Sequence, residues 1–402
     1  MKTISPPIVV TVVASGGGST NLATTAAAMS PGTWASMPAS NQNAILGVGD
    51  VSGSTLQYAM SCAWNPQNKM IEIVGADHAY GYERYMRFDG NQFLLINVGD
   101  QPNVQPRDSV NGGNSGLYDG HEFNGLACNP TTGDCYYRRY GAIDSSRQPV
   151  PNIGYYGVGK CVLNGTDFRT NIPLQPVVDN INIVAGSCWW SGSLAGVGAQ
   201  GAFMIYNCGN SAVPGGSSLD GAMHAFDPLS NTWPINQNGV SPFYGLQGPQ
   251  SIGGTYHEIA AYSAVKNCMV YGGGNWQPYK CWRYNSDASF TAMPDLPVGA
   301  NPSIPIAVGI QRGNLVADPV TGNFLLLSGS SPTQLWQLNP SGSGTWTQQT
   351  GTRTPPSQIS SPGPAPGVIS GIVSCAIPDY GVIAYIRQDS SSISAFYLYK
   401  HA

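Results

Sequence analysis

The chain has 402 residues, of which only 9% are charged, with a net charge of −4, 51 glycines and 31 prolines. Ordinary domains carry about 25% charged residues, and this mixture calls for many short strands and tight turns rather than helices. There is no basic run of the kind a nucleic-acid partner needs, and no apolar run reaches the roughly 20 residues of a membrane-spanning helix.

The N-terminal segment stands apart, because no charged side chain occurs between Lys2 and Asp50. Its IVVTVVA core followed by small residues has the outline of a secretory leader, with a single lysine as the basic region. If Met1 is retained, the β-branched run through Ile8, Val9, Val10, Val12 and Val13 suits strand addition to the exposed sheet edge of a neighbour. Residues 1–30 are accordingly expected to form an extended arm embedded in a partner, and residues 31–402 the folded body.

From Ser61 onward one pattern recurs: a small-residue strand, a tight turn, a strongly apolar strand, then glycine. It appears in SCAWNPQNKMIEIVGA from Ser61, GLACNPTTGDCYYRRYGA from Gly125 and, more loosely, GSLAGVGAQGAFMIYNCG from Gly192. It returns in TYHEIAAYSAVKNCMVYGGG from Thr255, NLVADPVTGNFLLLSGS from Asn314 and VSCAIPDYGVIAYIRQ from Val373. The turns NPQNK, NPTTGD, DPVTGN and IPDYG combine proline, which fixes φ, with asparagine, aspartate or glycine at the left-handed position of a short hairpin. Each copy leads into an alternating aromatic segment, a turn and a closing aromatic, as in RYMRFDGNQF from Arg84 or LWQLNPSGSGTW from Leu335. The last copy, SAFYLYKHA, reaches Ala402 without its closing strand, which GTWASMP (Gly32–Pro38) can supply from the other end of the chain, with Trp34 in the place of Trp233 and Trp346.

Six units spaced at roughly 53 to 70 residues predict an all-β, six-bladed β-propeller of four-stranded antiparallel blades, the last closed by an N-terminal strand. Closure removes sheet edges that would otherwise pair with other chains. The glycines after Tyr271, with Trp282 and the aromatic-turn pattern downstream, resemble the kelch/galactose-oxidase type of propeller; the blade beginning at Tyr256 carries the likeness.

The short loops join the first two strands of each unit, and the long connections belong on the opposite face, around the channel mouth, where binding sites are favoured. Tyr80, Tyr82, Tyr118, Trp189, Trp190 and Trp276 are placed at that mouth among Asp, Asn, Arg and Gln, a mixture suited to sugar rings or a protein contact. Packing between blades is the competing role for the tryptophans. A catalytic reading rests on fold likeness alone: some propeller-fold polysaccharide lyases use a neutralising group, a base and a tyrosine acid, for which His121, His257, Tyr137 and Arg139 are the candidates. His121 and His257 each open a first strand, so position in the repeat accounts for both without catalysis.

Nothing in the sequence calls for a metal or a cofactor. The nine cysteines include no C-x-x-C. Cys128/Cys135 and Cys268/Cys281 sit on successive strands, so cross-strand disulfides and buried free thiols are both open for them. The expected role is non-catalytic: a structural or adhesive module held by its arm in a larger extracellular assembly, a virus particle or tail first among them. Its partners would be protein subunits and cell-surface glycan, without nucleic acid or membrane insertion. A secreted polysaccharide-active enzyme and a free lectin-like protein are the alternatives.

Overall fold

A computed structural model of the chain describes residues 20–37, 39–47, 55–56, 62–75, 84–98, 125–138, 158–166, 168, 170–171, 186–197, 201–207, 222–234, 258–273, 280–297, 314–327, 333–360, 371–390 and 393–402. The chain enters through helix α1 (Asn21–Ala28), strand β1 (Thr33–Ser36) and helix α2 (Gln42–Leu46). Blade 1 follows with β2 (Ala63–Asn65), β3 (Met70–Gly75), β4 (Arg84–Phe88) and β5 (Phe93–Val98). Blade 2 comprises β6 (Leu126–Cys128), β7 (Cys135–Arg138), β8 (Val158–Cys161) and β9 (Thr170–Asn171), and blade 3 β10 (Gly186–Trp190), β11 (Ala202–Asn207) and β12 (Ala222–Phe226). Blade 4 contains β13 (Glu258–Ser263), β14 (Cys268–Gly273), β15 (Cys281–Asn285) and β16 (Phe290–Met293). Blade 5 contains β17 (Asn314–Ala317), β18 (Phe324–Leu327), β19 (Leu335–Asn339) and β20 (Thr345–Gln348), and blade 6 β21 (Ile372–Ile377), β22 (Val382–Ser390) and β23 (Ile393–Lys400).

All strand pairs are antiparallel, and the sixth sheet has the order β1-β23-β22-β21. The N-terminal strand therefore closes the last blade, with Trp34 opposite Tyr399. Blade 3 shows three paired strands among the described residues, and a bridge between Asp227 and Thr232 turns its chain toward Trp233 in the place of the fourth. First strands touch their neighbours around a complete ring, β2 against β6 and β21, then β6–β10, β10–β13, β13–β17 and β17–β21. A six-bladed all-β propeller is the result.

Both faces of every blade are buried, because side chains alternate across a strand. On β22, Val382, Ala384 and Ile386 pack toward blade 1 while Ile383 and Tyr385 pack toward blade 5. Six apolar clusters result, one in each seam. The innermost strands run so close together that a Cβ on Gly186 would lie 2.6 Å from the Cβ of Ala260, hence the small residues there. The hairpin turns obey the same local chemistry the sequence announced: Gly133, Gly322 and Gly381 have φ of 75°, 72° and 64°, with Lys69 and Asn267 taking the left-handed position in their turns.

One prediction for blade 3 is corrected. The first strand is GSCWW at Gly186–Trp190, and Gly192–Val197 belongs to the following turn. Leu194 in that turn is buried against the seam, so its hydrophobicity imitates a strand residue.

Tryptophans on two outer strands pin neighbouring blades in the same way. The Trp346 indole donates to the Pro294 carbonyl at 3.1 Å, and the Trp34 indole to the Arg353 carbonyl at 3.1 Å, in each case reaching the preceding blade. Trp34 also stacks on Tyr399 with ring centroids 4.5 Å apart.

Blades 1 and 2 are joined by a buried polar network. Arg87 donates through Nε to Glu72 at 2.7 Å and through Nη2 to the Gly165 carbonyl of blade 2 at 2.7 Å. The Tyr85 hydroxyl donates to Glu72 at 2.5 Å and accepts from Arg87 at 2.8 Å. Burial disfavours the charged guanidinium, but Glu72 and Tyr85 outweigh it and hold the group charged more firmly than usual. Glu72→Gln leaves that charge buried without its counter-ion and should lower the free energy of urea unfolding by about 3–5 kcal/mol. Replacing Glu72 and Arg87 together by Met should cost less than either single change, and an additive loss would show that the two do not act as a pair.

At the seam between blades 5 and 6, burial holds the His401 imidazole below its usual 6.5, and Arg353 adds to this against the pull of Asp318. The folded state thus keeps this histidine neutral where the unfolded chain takes up a proton. Its contribution is complete above about pH 6.5 and is lost as the pH falls further. His401→Gln should flatten the decline in stability between about pH 7 and pH 5.5, measured by urea titration at each pH.

Candidate functional site

On the ring axis lies a cavity of about 420 Å³, to which all six blades contribute. Ala63, Ala127, Cys188, Ala261, Ala317 and Ala376 line it, one from each blade, so its wall is built of small apolar groups. Short side chains at this level of each strand leave the space that forms the cavity.

Its rim is made by the turns after the first strands, with Pro66, Pro130, Tyr262, Pro378 and Asp379, together with Trp64 at the centre of β2. The polar groups of the rim are already engaged with one another. The Trp64 indole donates to Asp379 Oδ2 at 2.6 Å, and Lys69 Nζ lies 3.1 Å from Asp379 Oδ1. The Tyr262 hydroxyl accepts from Gly192 N at 2.9 Å and donates to Asn267 Oδ1 at 2.8 Å.

The same face carries the large apolar side chains that are most exposed among the described residues. Val265 and Val320 sit in turns between first and second strands, and Val162 and Leu229 in turns after third strands; they are 54%, 49%, 52% and 62% exposed. Antiparallel order puts these two sets of turns on one side, and hydrogen bonds join them, as from Gln67 Nε2 to the Pro130 carbonyl at 2.9 Å and from Leu163 N to Asp134 Oδ1 at 3.2 Å. Helix α1 also reaches this face, with Leu22 N donating to the Gly90 carbonyl at 2.9 Å. The chemistry on offer is apolar contact.

Three thiols line the cavity: Cys62, Cys188 and Cys375. Burial raises Cys188 well above the ordinary thiol range, and raises Cys62 likewise, helped by a hydrogen bond with Cys375. Thiols so shifted are weak nucleophiles at neutral pH. Cys128, also in the cavity lining, forms a disulfide with Cys135 opposite it in register, whereas Cys268 and Cys281 are free and buried in the seam between blades 4 and 5. Among the described residues no group of three or more His, Cys, Asp or Glu side chains is placed to hold a metal, and no helix is long and apolar enough to cross a membrane.

The sequence-derived site residues are divided by the structure. Trp189 and Trp190 lie on β10 and point into opposite seams, since consecutive strand residues face opposite ways. Trp189 stacks on Tyr136 at 5.5 Å and also lines the axial cavity, whereas Trp190 is fully buried with its indole donating to the Ser193 carbonyl at 3.3 Å. Tyr137 is buried between blades 1 and 2, edge-on to Phe168 at 5.7 Å. Tyr80, Tyr82, Tyr118, Trp276, His121, His257, Arg139 and the arm residues Ile8, Val9, Val10, Val12 and Val13 lie outside the described residues. Trp64, Tyr262 and Asp379 were not singled out from the sequence, because attention to long loops passes over a rim made of short ones.

No family model matches the chain, and no curated protein resembles it in sequence. Solved structures do resemble it in fold. The SapL1 lectin in complex with alpha methyl fucoside aligns at 9% identity over 85% of this chain and 93% of its own, with a TM-score of 0.47. AofleA from Arthrobotrys oligospora aligns at 8% identity over 86% and 83%, with a TM-score of 0.46. The alpha-L-arabinanase of Penicillium chrysogenum aligns at 12% identity over 92% and 98%, with a TM-score of 0.44. Likeness at this level transfers neither ligand nor activity to this chain.

An apolar cavity of this size should take up a naphthalene-sized fluorescent probe from water. Ala376, partly exposed on its wall, offers a way to fill it. Ala376→Phe should weaken probe binding at least about tenfold while the melting temperature stays within about 4 °C of the parent. Unchanged probe affinity in a folded variant would place the probe elsewhere.

Proposed function

We propose that this protein is a non-catalytic structural or adhesive propeller, anchored through its N-terminal arm in a larger extracellular assembly, with a virus particle or tail as the leading setting. One observation carries the reading: the strand that follows the arm is an integral part of the ring. β1 pairs along its length with β23, and Gly32 N and Met37 N extend that pairing to Lys400 and Phe396 at 2.7 Å each. Leu22 and Ala26 of α1, within the span expected from the sequence to be extended arm, are packed in the seam between blades 1 and 6, so the proposed arm is the chain before Thr20. The chain before Thr20 therefore departs from a fixed point, and a load on it is borne by a hydrogen-bonded ladder in shear.

Sequence character supports the same role. An uncharged, β-branched segment followed by ASGGGS is suited to burial in a neighbouring subunit through a flexible joint. The face bearing the cavity mouth and exposed valines offers an apolar contact for protein subunits. On the long-loop side, Tyr80, Tyr82, Tyr118 and Trp276 are proposed as contacts for a cell-surface glycan or a protein partner. The kelch-like kinship suggested by the Tyr271 glycines belongs with these proposals.

Deletion of residues 1–19 separates anchoring from folding. The truncated protein should keep the melting temperature of the full chain within about 4 °C, because α1 and β1 remain. It should fail to sediment with the large particle that carries the full-length protein. Recovery of the full-length protein from its source solely as a free monomer, or assembly undiminished by the deletion, would overturn the reading.

A further inference from the structure

We infer that Cys62 and Cys375 form a second disulfide, a covalent clasp across the seam where the first and last blades meet. Cys62 immediately precedes β2 and Cys375 lies within β21, the innermost strands of blades 1 and 6. Cys62 N donates to the Ser374 carbonyl at 3.3 Å, which aligns the two backbones side by side at this point. The thiols are themselves in hydrogen-bonding contact, and both belong to one apolar cluster. Two interacting thiols on backbones aligned side by side meet the main requirement of a disulfide, which tolerates little backbone movement.

Access and specificity follow from position. Each cysteine is 5% exposed, and both line the axial cavity whose rim is on the turn face, so a small oxidant can reach them without the blades parting. Among the described residues the other cysteines outside the Cys128–Cys135 bond lie apart from this pair: Cys188 lines the cavity from blade 3, Cys161 lies between blades 1 and 2, and Cys268 and Cys281 lie between blades 4 and 5. Conditions that join Cys128 to Cys135 are also oxidising enough for a preformed thiol pair.

The reaction is thiol–disulfide exchange with a small-molecule disulfide, R–S–S–R. At mildly alkaline pH, which offsets the burial of the thiols, the thiolate of one cysteine, having lost its proton to solvent, attacks one sulfur and expels R–S⁻. The second cysteine, deprotonated in turn, attacks the mixed disulfide and expels the other R–S⁻. The S–S bond of the reagent is reduced, the protein pair is oxidised by two electrons, and the two protons lost are taken up by the two R–S⁻ to give two R–SH. The new bond would close a loop running almost the whole way round the ring, where cross-linking restricts the unfolded chain most.

The test uses the full chain, incubated with hydroxyethyl disulfide, alkylated and digested without reduction. Mass spectrometry should find the Cys62 and Cys375 peptides joined and two fewer alkylatable thiols, and the oxidised protein should unfold in urea at least about tenfold more slowly. Cys62→Ser and Cys375→Ser should each abolish the linked peptide and the difference in rate; if a serine variant does not fold, the peptide map of the parent decides. A stable adduct of the reagent on either cysteine, a link to any other cysteine, or both thiols still alkylatable beside an intact Cys128–Cys135 bond would overturn the inference. A linked peptide with an unchanged unfolding rate would overturn the clasp.

Discussion

Everything in this molecule depends on each blade burying both of its faces. A single antiparallel sheet usually has one wet side, but here the six apolar clusters lie between blades and none lies within one. A blade alone would expose two apolar surfaces, so no blade is stable until both neighbours are present. Ring closure is therefore a condition of folding. The pairing of β1 with β23, made by residues from opposite ends of the chain, is the contact that satisfies it.

The same constraint explains where polar groups are tolerated. Seams are apolar through most of their depth, and between blades 1 and 2 the buried polar groups gather into one connected set. Glu72, Arg87 and Tyr85 satisfy one another and reach the Gly165 carbonyl. Asn65 joins them by donating to the Gly133 carbonyl of blade 2 at 2.9 Å. Networks of this kind contribute less net stability than apolar packing, yet they fix one angle between neighbouring blades because a misplaced partner would strand a charge. Six such angles must sum to a full turn.

Convergence on the axis governs the site. One small residue from each innermost strand, alanine in five blades and cysteine in the third, faces the axis, and what remains between them is an apolar cavity ringed by short turns. That face combines the cavity mouth, exposed valines and the entry of the N-terminal segment. Contact with other protein surfaces, rather than acid–base chemistry, is what such a lining performs best.

The sequence by itself determined the repeat, the hairpin turns with their left-handed glycines, and the place of Trp34 in the last blade, since each depends on chemistry among residues near in the chain or on the missing member of a regular series. The β10 strand was misplaced because alternation is weak among small residues and Leu194 supplied a false strand position. The candidate site was less legible. Trp189 and Trp190 read alike as neighbours, and only the tertiary structure sends one to each side, where both are buried. The cavity, its rim of Trp64, Tyr262 and Asp379, and the meeting of Cys62 with Cys375 were likewise decided by the fold. Their partners are one to five blades away in sequence, and ring closure brings them together through packing that no local pattern records.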